Sequence, residues 1–131
     1  MRVLLIDDDD LVRVTVRDFL AGSGHEVVEA RDGTQALAEI ARALPEVILC
    51  DRMMPLMSGY ELLERVRRDW PTLDRVPFFF LTGLADERDV AAVAHLRPTA
   101  YLLKPIRRAD LLAALDAAAG SPPAKDKEPS G

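Results

Sequence analysis

The sequence contains a single cysteine, Cys50, no excess of positive charge, and no apolar run long enough to cross a bilayer. One thiol excludes an internal disulfide and suits a reducing compartment. Its place inside an apolar run marks Cys50 as a small core residue. A formal net charge of −5 argues against a broad electrostatic footprint for nucleic acid or for an anionic membrane. The apolar run behind Met1-Arg2 stops at Ile6 against four aspartates, so no signal peptide is visible. No internal repeat is apparent. At 131 residues the chain supports one hydrophobic core and is too short for two ordinary domains. The expectation is a single cytoplasmic domain.

What is present is a series of short apolar runs separated by helical patterns. Val3–Ile6, Glu26–Glu29, Val47–Cys50, Pro77–Leu81 and Ala100–Leu103 read as strands. Asp9 or Asp10 can cap a first helix with Val12, Val16, Phe19 and Leu20 on one face, closed by Gly22-Ser23-Gly24. Asp32-Gly33-Thr34 starts a second, with Leu37, Ile40, Ala41 and Leu44 inward, and Pro45 stops it. Ser58 and Glu61 form a capping box for a third helix, which turns Leu62, Leu63 and Val66 inward and ends near Trp70-Pro71. A fourth helix is predicted from Asp86 to about Leu96. A fifth carries Leu111, Leu112, Leu115, Ala118 and Ala119. Residues 1–119 are expected to form the domain, and the Pro-, Lys- and Ser-rich residues 120–131 a disordered tail or linker.

Strands that alternate with helices predict an α/β fold, a doubly wound five-stranded parallel sheet with helices on both faces. All strands then share one carboxyl edge, where open sheets of this kind bind their ligands. The residues at that edge are Asp7 and Asp8, Asp51, Thr82 and Lys104. Taken singly each has a plain reading: an acidic helix start, a cap, a surface lysine. For Asp9 and Asp10 the plain reading is preferred. Carboxylates brought into contact repel by about 4 kcal/mol per pair in a partly screened setting. A hard cation such as Mg2+ relieves this with one or two carboxylates, waters and a phosphate oxygen. Asp51 can then attack a phosphoryl group, whose oxygens Thr82 and Lys104 would balance.

Four stretches carry a family resemblance: Leu5-Ile6-Asp7-Asp8, Asp51-Arg52-Met53-Met54-Pro55 with Met57-Ser58-Gly59, Leu81-Thr82-Gly83, and Tyr101-Leu102-Leu103-Lys104-Pro105. Over its first 119 residues or so the chain resembles the receiver domain of two-component response regulators. The resemblance implies a flavodoxin-like sheet of order 2-1-3-4-5. Asp51 would be the phosphoacceptor, served by a histidine kinase or a histidine phosphotransfer protein. Asp7, Asp8, Asp51 and the backbone carbonyl of Met53 would hold Mg2+ (or Mn2+). Thr82 and Tyr101 would form a switch pair, Lys104 would meet the phosphoryl oxygens, and the bond before Pro105 would be cis. Output would pass through the fourth helix, fifth strand and fifth helix to a protein target or a second copy, with no membrane and no nucleic acid contacted by this domain. Such a domain is a signalling phosphoacceptor rather than an enzyme.

Two departures from the family pattern stand out. Arg97-Pro98 replace a common Gly-Ala, and the apolar Met53 and Leu84 flank the site, where they are expected to hinder the water that hydrolyses the phosphate. Three other readings compete. Asp7-Asp8-Asp9 satisfies the Asp-x-Asp pattern of haloacid-dehalogenase-like phosphatases, with Asp7 as nucleophile and Asp9 as acid, but Asp10-Leu11 replace the usual Gly-Thr. A silent pseudo-receiver would tolerate losses at the site, and none is seen. A flavodoxin-like redox protein needs a phosphate loop after the first strand, where this chain has aspartates.

Overall fold

The computed structural model describes residues 1–83 and 94–120. The chain runs β1 (Arg2–Ile6), α1 (Asp10–Leu20), β2 (Glu26–Ala30), α2 (Gly33–Arg42), β3 (Val47–Asp51), α3 (Gly59–Asp69), β4 (Phe78–Thr82), β5 (Ala100–Leu103) and α4 (Arg108–Gly120). Single 3-10 turns at Pro71–Leu73 and Ala94–Leu96 complete the described elements. The predicted helix over 86–96 lies largely outside the described residues, and of it only that last turn is seen. The strands form one parallel sheet of order β2-β1-β3-β4-β5, the order that the resemblance implies.

The pleat sorts each continuous apolar run onto two faces. Leu4, Ile6, Ile48, Cys50, Phe78 and Phe80 meet α2 and α3 through Ala36, Ile40, Leu62, Leu63 and Val66. Val3, Leu5, Val47, Leu49, Phe79 and Leu81 face the other way, onto Val16 and Leu20 of α1 and Leu111 and Leu115 of α4. Burying one such side chain is worth about 1.5–3 kcal/mol, so both layers contribute substantially. Cys50 is fully buried, and burial followed by the charge of Asp51 holds its thiol well above the usual range.

Local capping follows the sequence closely. Asp9 caps α1 by accepting from the Leu11 amide, and Asp32 caps α2 through the Gln35 amide. Ser58 and Glu61 make the reciprocal capping box of α3. The buried face of α2 differs from the expected one. Gly33, Ala36 and Ile40 are buried with Leu37 packed beside them, whereas Ala41 is exposed and Leu44 is 49% exposed. The reason is geometric: the helix ends at Arg42 and Ala43 is extended, so Leu44 lies past the last turn, while Ala41 falls off the stripe through Gly33, Ala36, Leu37 and Ile40.

Candidate functional site

The register of the sheet assembles the site before any side chain is considered. Ile6 pairs with Cys50, so the next residues, Asp7 and Asp51, stand level on adjacent strands. Both follow residues that face α2 and α3, so the pleat turns both carboxylates to the α1 and α4 side. Lys104 shares that side, following Leu102 at two residues' distance, and Leu102 packs on the α1 and α4 layer. Thr82 and Tyr101 have the opposite parity. Tyr101 packs on the α2 and α3 layer, stacked on Phe80 at 5.3 Å between ring centroids, with Tyr60 edge-on to Phe80 at 4.9 Å.

Asp7 is fully buried, Asp51 is 7% exposed and Thr82 is 3% exposed, whereas Asp8 is exposed. One carboxylate oxygen from each of Asp7, Asp8 and Asp51 lies within 4.8 Å of the others. Lys104 Nζ stands 3.0 Å from Asp7 Oδ2 and 3.3 Å from Asp51 Oδ1. Asp51 Oδ1 also accepts from the Met53 amide at 3.4 Å. The Lys104–Pro105 peptide bond is cis. Asp9, by contrast, is committed to capping α1, which removes it from the cluster and leaves the Asp7/Asp9 phosphatase arrangement without its acid.

The charges do not balance. Burial, and then the negative charge of Asp7, push the Asp51 carboxyl up to about 6, and Lys104 only partly opposes them. Burial works against the Lys104 ammonium, but contact with Asp7 and then Asp51 outweighs it and raises its pKa above the ordinary value. Asp7 Oδ1 accepts from the Asp9 amide at 2.9 Å. Asp7 Oδ2 is buried and receives no hydrogen bond of good geometry, although the ammonium is near. A buried acceptor beside two further carboxylates suits a small hard cation, so the residues present fit Mg2+.

The loop after β3 is shaped by two close approaches. A Cβ on Gly59 would lie 2.3 Å from the Asp51 carbonyl oxygen and 3.0 Å from Phe80, so only glycine lets α3 begin there. The Met57 amide donates to the Pro55 carbonyl at 2.7 Å across Leu56, whose φ is 70 and whose side chain is 96% exposed. A non-glycine residue held in that region costs on the order of 1–3 kcal/mol. Met53 is 66% exposed on the same loop. Leu84, the other expected flanking residue, lies outside the described residues. Arg97 adopts φ 57, the left-handed region that favours glycine, and its guanidinium pairs with Asp74.

Charge at the second strand was not foreseen. Glu29, near the end of β2, pairs with Arg13 and Arg17 of α1. The spacing of the two arginines by one helical turn was the available signal.

A five-stranded parallel sheet of this order, with an aspartate cluster at its carboxyl edge, defines a signalling receiver of the two-component type. Residues 3–116 match the family model described as the response regulator receiver domain, and the chain belongs to that family. It is 35% identical over 117 residues to the response regulator MprA of Mycobacterium leprae, covering 89% of this chain and 50% of that protein. It is 34% identical over 115 residues to the phosphate regulon transcriptional regulatory protein PhoB of Pseudomonas aeruginosa, covering 88% and 50%. The chain thus spans about half the length of these curated relatives. Among solved structures it resembles the chemotaxis response regulator CheY4 of Vibrio cholerae (TM-score 0.82, 32% identity, 89% and 97% covered). It also resembles the receiver domain of a sensor histidine kinase from Pseudomonas aeruginosa with magnesium coordinated in its active-site cleft (TM-score 0.82, 29% identity, 92% and 98% covered). The chain is therefore a receiver domain of two-component signalling, and its aspartate cluster fits the phosphoacceptor site of that class.

Proposed function

We propose that Asp51 is the phosphoacceptor and that the chain is a signalling switch rather than an enzyme acting on an external substrate. The observation that carries this is the placement of Asp51 at the end of β3, level with Asp7 and 3.3 Å from Lys104 Nζ. Asp7, Asp8, Asp51 and the Met53 carbonyl would hold Mg2+ or Mn2+, which when bound supplies positive charge to the transferring group.

An Asp51 carboxylate oxygen attacks the phosphorus of a phosphohistidine or a small acyl phosphate. A P–O bond forms as the P–N or P–O bond of the donor breaks, and the electron pair leaves with the donor, which takes up a proton if it is an imidazole. Lys104 then balances the phosphoryl oxygens, and Thr82 and Tyr101 relay the change to the β5 side. Reversal to the resting state is attack of water on the same phosphorus, releasing inorganic phosphate and the carboxylate. The exposed Met53 narrows the approach of that water.

The donor would be a histidine kinase or a histidine phosphotransfer protein, and the receiver of the signal a protein target or a second copy docked on β5, α4 and the helix expected over 86–96. Neither membrane nor nucleic acid is expected as a partner of this domain; no helix among the described residues is long and apolar enough to cross a membrane. Cytoplasmic placement, a domain over 1–119 and a linker or tail over 120–131 complete the reading. Incubation with Mg2+ and acetyl phosphate, followed by mass mapping, tests it: modification should fall on Asp51 and vanish in Asp51→Asn. Phosphorylation that survives this substitution removes the assignment.

A further inference from the structure

Asp7 is held at every polar backbone atom. Its amide donates to the Ala30 carbonyl at 3.1 Å, and its carbonyl accepts from Arg13 Nη1 at 2.6 Å. Oδ1 is occupied by the Asp9 amide, which leaves Oδ2 facing Lys104 Nζ at 3.0 Å. The Arg13 side chain is only 13% exposed. Its Nη2 pairs with Asp10 in the first turn of α1, and its Nε with Glu29 of β2 at 3.4 Å. Glu29 is held in turn by Arg17 at 3.0 Å. One planar guanidinium therefore joins the end of β1, the start of α1 and the end of β2, a geometry that a point-charge ammonium cannot reproduce.

We propose that Arg13 is a positioning residue for the metal-binding carboxylates: braced by Asp10 and Glu29, it fixes the Asp7 carbonyl and so the peptide from which Asp8 projects. The proposal rests on the reading of Asp7 and Asp8 as cation ligands. Its sign sets it apart from a charge effect. A guanidinium beside an acidic cluster repels a cation, so on charge alone its removal would tighten Mg2+ binding. Positioning predicts the reverse, because a carboxylate whose backbone is freed must be ordered again when the ion binds.

The test is calorimetric titration of Mg2+ into the full chain, with thermal melts in its presence and absence. Arg13→Gln should bind Mg2+ roughly tenfold more weakly, in the range found when outer supports of metal ligands are removed. Arg13→Lys, which keeps the charge and one donor, should lose less, and Glu29→Gln, which removes one brace and leaves the guanidinium, should lose least. These two milder variants carry the test if Arg13→Gln does not fold. A lower melting temperature with Mg2+ affinity unchanged or tightened across the series marks a merely structural arginine and overturns the proposal. Wild-type protein that binds no Mg2+ overturns the metal reading and this proposal with it, a result distinct from the first.

Discussion

The two edges of the sheet both carry charge, and they use it in opposite ways. At the amino edge each arginine is met by acceptors, a carboxylate or backbone carbonyls. Arg2 pairs with Glu26 at 2.8 Å, and its amide donates to Glu46 at 2.7 Å. Arg67, at the end of α3, donates to the carbonyls of Leu73, Val76 and Arg97 at 2.7, 3.2 and 3.0 Å. At the carboxyl edge two buried carboxylates and an exposed one crowd a single ammonium. The first arrangement holds loops in place; the second stores repulsion that a cation or a covalent phosphoryl group can relieve. Stability and function have been separated to opposite ends of the same strands.

Four experiments sharpen or break that contrast. Arg67→Ala should have the largest effect on folding, roughly 4 kcal/mol, since it removes charge-assisted bonds to two part-buried carbonyls, those of Leu73 and Val76, at about 1.5–3 kcal/mol each, the Arg97 carbonyl being exposed. Mg2+ binding should be unchanged, as read by denaturant melts and titration; a weakened Mg2+ response would erase the division between the edges.

Next comes pH. The Asp51 carboxyl rises from 3.8 to about 6 in the folded chain, so its contribution to stability is fully present below pH 3.8 and is lost as pH rises through about 6. The gap corresponds to an upper figure of about 3 kcal/mol. Melts without divalent cation should show this decline between pH 4 and 7, Asp51→Asn should flatten it, and Mg2+ should diminish it. A profile for Asp51→Asn that matches wild type would refute the stored repulsion.

Gly59→Ala should cost about 2 kcal/mol through overpacking against the Asp51 carbonyl and Phe80. It should also slow phosphorylation by acetyl phosphate, because the strand end must shift to admit the methyl group. Full phosphorylation with a purely thermal deficit would mean that α3 absorbs the clash instead. The smallest effect is expected of Arg2→Ala. Its partner Glu26 is 65% exposed, so loss of the pair should cost under about 1 kcal/mol and should shrink in high salt.

What could be read ahead of the structure was whatever depends on neighbours in sequence. The α3 capping box, the Asp9 and Asp32 caps and the strand centres are set within four residues, and they stand as expected. The buried side of α2 differs from the expected one at Ala41 and Leu44 because alanine is permitted on either face and the helix ends at Arg42, two residues short of Leu44. Asp7, Asp51 and Lys104 were legible as a group only through the rule that parallel strands share an edge.

By itself, then, the sequence determined the alternation of strands and helices and the identity of the groups at the strand ends, since apolar periodicity and local capping need no distant partner. Only the tertiary structure decided which of those groups share a side of the sheet. Register and pleat bring Asp7 level with Asp51 and turn both towards Lys104, while Tyr101 falls on the opposite layer. The clasp of Arg13 on the Asp7 carbonyl belongs to the same category. It joins three elements through one side chain, and no spacing along the chain encodes the distance between them.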